Sequence, residues 1–314
     1  MKPRPSSRQR YIPLGLALGL MGCFMAPAEG EQFKILAWNV ESNRPGAPQV
    51  SDPGVISAQL VGLLENPASR AQIVALSEVE PKTVPAFKQA VEQGLNTEVD
   101  FVTSASGGFR DADTLMLVVD AKRFAIQDVF ELHRYAGVST NFNVLDANSA
   151  DYGTVRARSP LVAKLRDKAD GKTFWLIVNH LARGEEDLRT QQSEALKKWA
   201  EDHASEPVIT AGDFNFDYQF ETGKGNAAYD AMVAGGVWEW LKPDPLVDSN
   251  WTEDRDRPGE DRYPGSILDF VFVANGAKDW KGESDVIVRE GDFPDSDKTS
   301  DHRPIVATFV PSER

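Results

Sequence analysis

The chain has one cysteine, Cys23, among 314 residues. No disulfide can brace a single copy, and no thiolate cluster is available for structural zinc. Basic charge is also short: 34 lysines and arginines stand against 48 acids, for a net charge of −14. Such a surface repels polyanions at long range, which argues against gripping nucleic acid with a basic patch. A cation held in a site would still attract a phosphate locally. The chain has no internal repeat, no long low-complexity linker and no apolar run long enough to span a membrane comfortably.

The amino-terminal 28 residues differ in composition from the rest of the chain. Lys2, Arg4, Arg8 and Arg10 form a basic leader, followed by an apolar segment over 11–24. This layout predicts a signal peptide over 1–28, with Ala26-Pro27-Ala28 as a small-x-small cleavage site. Leu20-Met21-Gly22-Cys23 offers a rival reading as a lipoprotein box with Cys23 lipidated, and an uncleaved anchor is a third. The expectation is an exported protein, periplasmic or secreted, with lipid anchoring through Cys23 as the alternative. Loss of the leader removes four basic residues and leaves a net charge of about −18.

Residues 29–314 read as one domain of a size that can bury a substantial core. Apolar runs of strand length recur at 33–38, 73–76, 115–119, 161–165, 174–178, 208–211, 267–273 and 305–310. Many are β-branched or aromatic and bounded by turn formers. Asp170-Gly171 between two of them signals a hairpin. Helices are expected from Asp52-Pro53, an N-cap followed by proline in the first turn, to Glu65, and over 80–94 and 185–203. Mixed helix and strand with a hairpin predicts an α/β protein whose sheets are covered by helices, not an all-parallel doubly wound fold. The polar, proline-rich stretch 244–265 reads as a long loop at the active rim.

Polar residues punctuate these runs in a consistent phase. Asn39, Glu78, His180 and the Asp213/Asn215 pair stand at the carboxyl ends of apolar runs. Asp269 lies early in its run, and Asp301-His302 precede theirs. If the two groups of strands are antiparallel, these positions share one edge and can converge on one pocket. Glu78, Asp213, Asp269 and Asp301 with the Asn39 amide would make a hard oxygen-donor set, suited to Mg²⁺ or Mn²⁺. Two histidines beside such an ion suit phosphate-ester hydrolysis. His302 is a candidate base, with Asp269 or Asp301 fixing its tautomer.

Trp38-Asn39-Val40, Leu76-Ser77-Glu78-Val79, Asn179-His180-Leu181, Gly212-Asp213-Phe214-Asn215, Leu268-Asp269-Phe270 and Ser300-Asp301-His302-Arg303-Pro304 stand in an order that resembles the endonuclease/exonuclease/phosphatase superfamily. The resemblance spans 33–310 and implies a four-layered α-β-β-α sandwich of two mixed sheets. It implies Glu78 as the main metal ligand, with Asn39 and Asp301 completing the shell directly or through water, and pairing of Asp269 with His302 as base or phosphate contact. Asp213 and Asn215 would orient the attacking water or hold a second metal. His180 would contact the scissile phosphate, and Arg158, with Asn215, would help shape the phosphate site. The implied activity is phosphodiester hydrolysis of a nuclease-like kind, with no organic cofactor. Nucleic acid, a phospholipid or a small phosphodiester all fit as substrate.

Departures from the family leave the subfamily open. The Trp-Cys-Asp-Arg signature of inositol phosphatases is absent, as are the disulfides of secreted deoxyribonucleases and a basic DNA-gripping surface. Phosphomonoester hydrolysis and sphingomyelinase-like cleavage therefore stand as alternatives. Binuclear metallophosphoesterases would need Asp-x-His early and Gly-Asn-His later, and neither string occurs. A non-enzymatic binding module would be expected to have lost some pocket residues. Plainer readings exist one by one: Asp301 as a strand-entry cap, Asp213-Phe214-Asn215 as an ordinary turn, His180 as a structural histidine. His133 and His203 carry no motif.

Overall fold

The computed structural model describes residues 30–41, 51–104, 114–132, 134–135, 138–139, 158–219, 221–250, 266–290 and 298–312. The leader, with its cleavage and lipobox readings, lies outside the described residues, as do His133 and most of the loop expected over 244–265.

Strand β1 (Phe33–Asn39) shows how the layers arise. Its alternate residues Phe33, Ile35 and Ala37 enter one buried cluster, while Leu36 and Trp38 enter another. Successive side chains leave a strand on opposite faces, so a strand buried on both sides belongs to a sheet covered twice. The first sheet runs β13 (Lys281–Val286), β14 (Ile305–Val310), β1, β2 (Ile73–Val79), β4 (Thr114–Asp120), β3 (Val99–Thr103). The second runs β11 (Trp238–Trp240), β12 (Ile267–Ala274), β10 (Val208–Tyr218), β9 (Thr173–His180), β8 (Leu161–Asp167), β5 (Phe124–Glu131). A small hairpin, β6 (Arg134–Tyr135) with β7 (Val138–Ser139), stands apart.

One core lies between the sheets, where Phe33, Ile35 and Phe309 meet Phe174, Leu176 and Val271. A second joins the first sheet to helices α1 (Pro53–Glu65) and α2 (Val84–Leu95) through Leu36, Leu60, Leu76 and Phe87. A third joins the second sheet to α3 (Glu186–Asp202) and α4 (Ala227–Val233) through Ile177, Leu196, Trp199 and Met232. Three cores between four layers make the expected α-β-β-α sandwich of two six-stranded mixed sheets.

Local chemistry sets the element ends. The Asp52 carboxylate accepts from Gly54 N–H at 2.8 Å and caps α1, with Pro53 in the first turn. The expected hairpin joins β8 to β9, with Gly171 at φ 79° in its turn. The helix expected over 80–94 begins later, because Pro81–Thr83 forms a single 3₁₀ turn before α2. Strands β3, β5, β11 and β13 and helix α4 were not expected from the sequence.

Register decides where the polar punctuations fall. β1 and β2 are parallel with Asn39 beside Ser77, and β14 is antiparallel to β1. In the other sheet β9 and β10 are parallel with His180 beside Asp213, and β12 is antiparallel to β10 with Asp269 beside Asp213. Ends of one group and starts of the other therefore share an edge in both sheets.

Candidate active site

All nine residues singled out in the sequence lie at that shared edge. The backbone explains why. Gly212 has φ 130°, and a Cβ there would sit 2.3 Å from the Asn179 carbonyl oxygen, so the strand that delivers Asp213 can approach β9 only through glycine. Asp213 Oδ1 then accepts from Asn215 N–H at 2.9 Å, an Asx-type turn inside β10, where Asn215 adopts φ 53°. The plain turn reading of this motif is thus part of the geometry that presents Asp213.

His302 is fixed from several sides. Its Nδ1 lies 2.8 Å from Asp269 Oδ2, and Ser249 Oγ donates to the same oxygen at 2.8 Å. Ser300 Oγ accepts from His302 N–H at 3.0 Å and donates to the Asn39 carbonyl at 2.6 Å, tying the two motifs together. Trp38 Nε1 donates to the His302 carbonyl at 2.9 Å. With Nδ1 on Asp269, Nε2 faces the pocket, 3.8 Å from Asp213 Oδ2 and 3.8 Å from Asp301 Oδ1.

Across the pocket, His180 Nε2 lies 3.3 Å from Glu78 Oε1 and 3.4 Å from Asp213 Oδ2. The same nitrogen is hydrogen-bonded to Arg158 Nη1. One ring nitrogen cannot serve both: protonated it donates to a carboxylate, and bare it accepts from the guanidinium. Asn39 Nδ2 donates to Asp213 Oδ2 at 3.0 Å and to Glu78 Oε1 at 3.2 Å, while its Oδ1 accepts from Glu41 N–H at 3.0 Å. For Asn39 to offer its oxygen directly to a cation, one of the two ways the resemblance allows, the amide must turn over. Asn215 commits its side-chain N–H to the Leu181 carbonyl at 3.0 Å, which buttresses the chain beside His180.

Charge is the dominant feature of the pocket. Glu78, Asp213 and Asp269 are buried, with Asp301 and Glu41 half-buried beside them. Burial pushes the Asp213 carboxyl up to about 7; Asp269 adds to the rise, and His302 and Arg158 oppose it. Burial, followed by Asp301 and Glu78, pushes Glu41 up to about 8. Burial by itself would lower His302, but Asp269, Asp301 and Asp213 outweigh it and hold the imidazole well above the ordinary histidine range. Buried carboxylates in excess of nearby cations are unfavourable unless protonated or met by a cation. Glu78, His180 and Asp213 offer ligand atoms within 4.8 Å of one another. This donor set of carboxylates and one imidazole, without thiolate, fits a small divalent ion.

Two participants carried little sequence signal. Glu41 sits two residues past Asn39 and could have been found as a further acid at the same strand end. Ser249 lies in the polar stretch after β11 with no motif around it, and only the fold brings it to Asp269.

The family model for the Endonuclease/Exonuclease/phosphatase family matches residues 36–302. No curated protein matches the chain in sequence. Among solved structures, a Bacteroides thetaiotaomicron mannosyl-6-phosphatase is similar at 17% identity and a TM-score of 0.64, covering 88% of this chain and 99% of its own. Danio rerio TDP2, solved with a single-strand DNA product, is similar at 17% identity and a TM-score of 0.60, covering 88% and 98%. The human Nocturnin catalytic domain, solved with a bound sulfate, is similar at 18% identity and a TM-score of 0.56, covering 88% and 93%. At such identities the likeness concerns the fold.

Proposed function

This chain belongs to the endonuclease/exonuclease/phosphatase family, and from that premise we propose that it is a divalent-metal-dependent phosphodiesterase of a nuclease-like kind. The supporting observation is one largely buried cluster that joins several carboxylates to a His302–Asp269 pair and a His180–Arg158 pair.

Glu78, either with Asn39 and Asp301 or with Asp213 and His180, would hold Mg²⁺ or Mn²⁺. When bound, the ion supplies Lewis-acid stabilisation of charge on the phosphoryl oxygens. Where Asn39 and Asp301 join Glu78 at the ion, Asp213 is left to orient the attacking water and take its proton at Oδ2. Asn215 holds Asp213 in place through its backbone N–H. His302, oriented by Asp269 and favoured in its charged form, donates Nε2–H to a phosphoryl oxygen. When His180 Nε2 carries a proton it can donate to a phosphoryl oxygen, and the Arg158 guanidinium beside it can donate to the same group. His302 is read as base or phosphate contact, and the carboxylates that favour its charged form without a metal support the phosphate contact.

The test is hydrolysis of a generic phosphodiester, plasmid DNA, RNA, a phosphomonoester and sphingomyelin by residues 29–314, with Mg²⁺, Mn²⁺ or EDTA. Metal-dependent diester turnover is expected, and activity on none of these substrates would refute the reading. Preference for the monoester would move the assignment to the phosphatase side of the family. Export is a separate proposal, resting on the leader; amino-terminal sequencing of the mature protein from fractionated cells checks it.

A further inference from the structure

Helix α3 carries polar residues on its buried side. Leu188, Gln192, Ala195, Leu196 and Trp199 recur at helical spacing and all are buried, so Gln192 occupies a place in an otherwise apolar stripe. Its amide is engaged at both ends, and with backbone only. Gln192 Oε1 accepts from Ala182 N–H at 2.9 Å, and Nε2 donates to the Arg158 carbonyl at 3.0 Å. One turn earlier, Arg189 Nη1 donates to the carbonyls of Ala182 and Arg183, both at 2.7 Å.

The two backbone segments bridged by Gln192 are the ones that bring Arg158 to His180. Arg158 precedes β8, and Ala182 lies two residues beyond His180 at the end of β9. Arg158 Nη1 also reaches the Leu181 carbonyl at 3.3 Å, the same oxygen that accepts from Asn215. None of the nine pocket residues lies on a helix. The stripe position on α3 nevertheless holds an amide whose two ends fix the separation of the pocket's arginine and histidine.

We infer that Gln192, supported by Arg189, is a positioning residue that sets the Arg158–His180 pair for phosphate contact. This deepens the phosphodiesterase reading and rests on it for its catalytic consequence, but the coupling itself is a property of the folded chain. Replacing Gln192 with an apolar side chain leaves the buried Ala182 N–H and the half-buried Arg158 carbonyl without this partner, and the two segments lose their shared tether. Loss of such an orienting contact lowers activity about 10- to 100-fold in comparable sites.

The experiment pairs Gln192→Leu with Arg158→Ala and with the double variant. Gln192→Glu is the second probe, because it keeps an acceptor for Ala182 N–H and the length of the side chain while removing the donor to the Arg158 carbonyl above its own pKa. Guanidinium NMR reads Arg158 directly: hindered rotation is expected in the wild type and fast rotation in both Gln192 variants. With a generic phosphodiester and Mg²⁺, kcat/KM should fall about 10- to 100-fold in Gln192→Leu, and no further fall should appear when it is added to Arg158→Ala. Arg158 signals unchanged in both variants would overturn the inference. So would a Gln192→Leu loss of full size in the Arg158→Ala background, which is what a general structural defect produces. If the wild type hydrolyses no phosphoester, the functional reading falls, and the NMR comparison still decides whether Gln192 holds Arg158.

Discussion

His302 and its neighbours show how much of the chemistry rests on single side chains. Asp269 fixes Nδ1, and three carboxylates hold the ring in its charged form. His302→Ala should lower kcat by about 10²- to 10³-fold with the fold intact, as steady-state kinetics and circular dichroism would show. Undiminished metal-dependent turnover in that variant would refute the mechanism. The raised carboxyls have a second consequence. Glu41 rises from 4.5 to about 8, and Asp213 from 3.8 to about 7. The folded state therefore binds more protons than the unfolded one across this range, and the sign of linkage makes metal-free stability fall as pH rises from about 4 to about 8. His302, also raised, acts in the same direction. Melting in EDTA should thus shift downward between about pH 5 and about pH 8, and Mg²⁺ or Mn²⁺ should reverse most of the shift by favouring the ionised carboxylates. A metal-free protein more stable at the higher pH would contradict the pocket's electrostatics.

Secondary structure was legible in proportion to how deeply each element is buried. The eight apolar runs read from the sequence are the interior strands β1, β2, β4, β8, β9, β10, β12 and β14. The four missed strands of the two large sheets, β3, β5, β11 and β13, are their four edges. An edge strand has one neighbour and more solvent contact, so it needs no continuous apolar run: Val99–Thr103 and Lys281–Val286 are largely exposed, and both carry charge. Helix α4, only seven residues long, is too short to show a period. Among the interior strands, β10 depends on Gly212 for its approach to β9. Gly212→Ala should destabilise by roughly 3 kcal/mol, through positive φ and the clash with Asn179, and should lower activity by shifting Asp213. Chemical denaturation with and without Mg²⁺ checks this, and a wild-type midpoint would contradict the packing.

At the level of the whole molecule, a chain of net charge −14 carries the site proposed to act on an anionic substrate. Long-range repulsion should slow encounter with a polyanion and be relieved by salt. For an oligonucleotide substrate, kcat/KM should rise or stay level from about 10 to about 150 mM salt at fixed Mg²⁺, whereas a basic nuclease would lose rate over the same range. A small phosphodiester should show almost no dependence. A steep fall with salt for the oligonucleotide would indicate a basic track that the composition does not suggest.

The order and phase of the polar punctuations were determined by the sequence, because alternation along a strand and the identity of its terminal residue are local properties. From them came the interior strands, the mixed α/β class and eight of the nine candidate residues; Arg158 came from the family resemblance. What only the tertiary structure decided is which atoms face which: the amide nitrogen of Asn39 toward the carboxylates, Ser249 on Asp269, Glu41 beside Asp301, and Gln192 between the Arg158 and Ala182 backbones. Those contacts join residues that the folded chain brings side by side, and a hydrogen bond between separate elements leaves no periodic mark in the sequence that makes it.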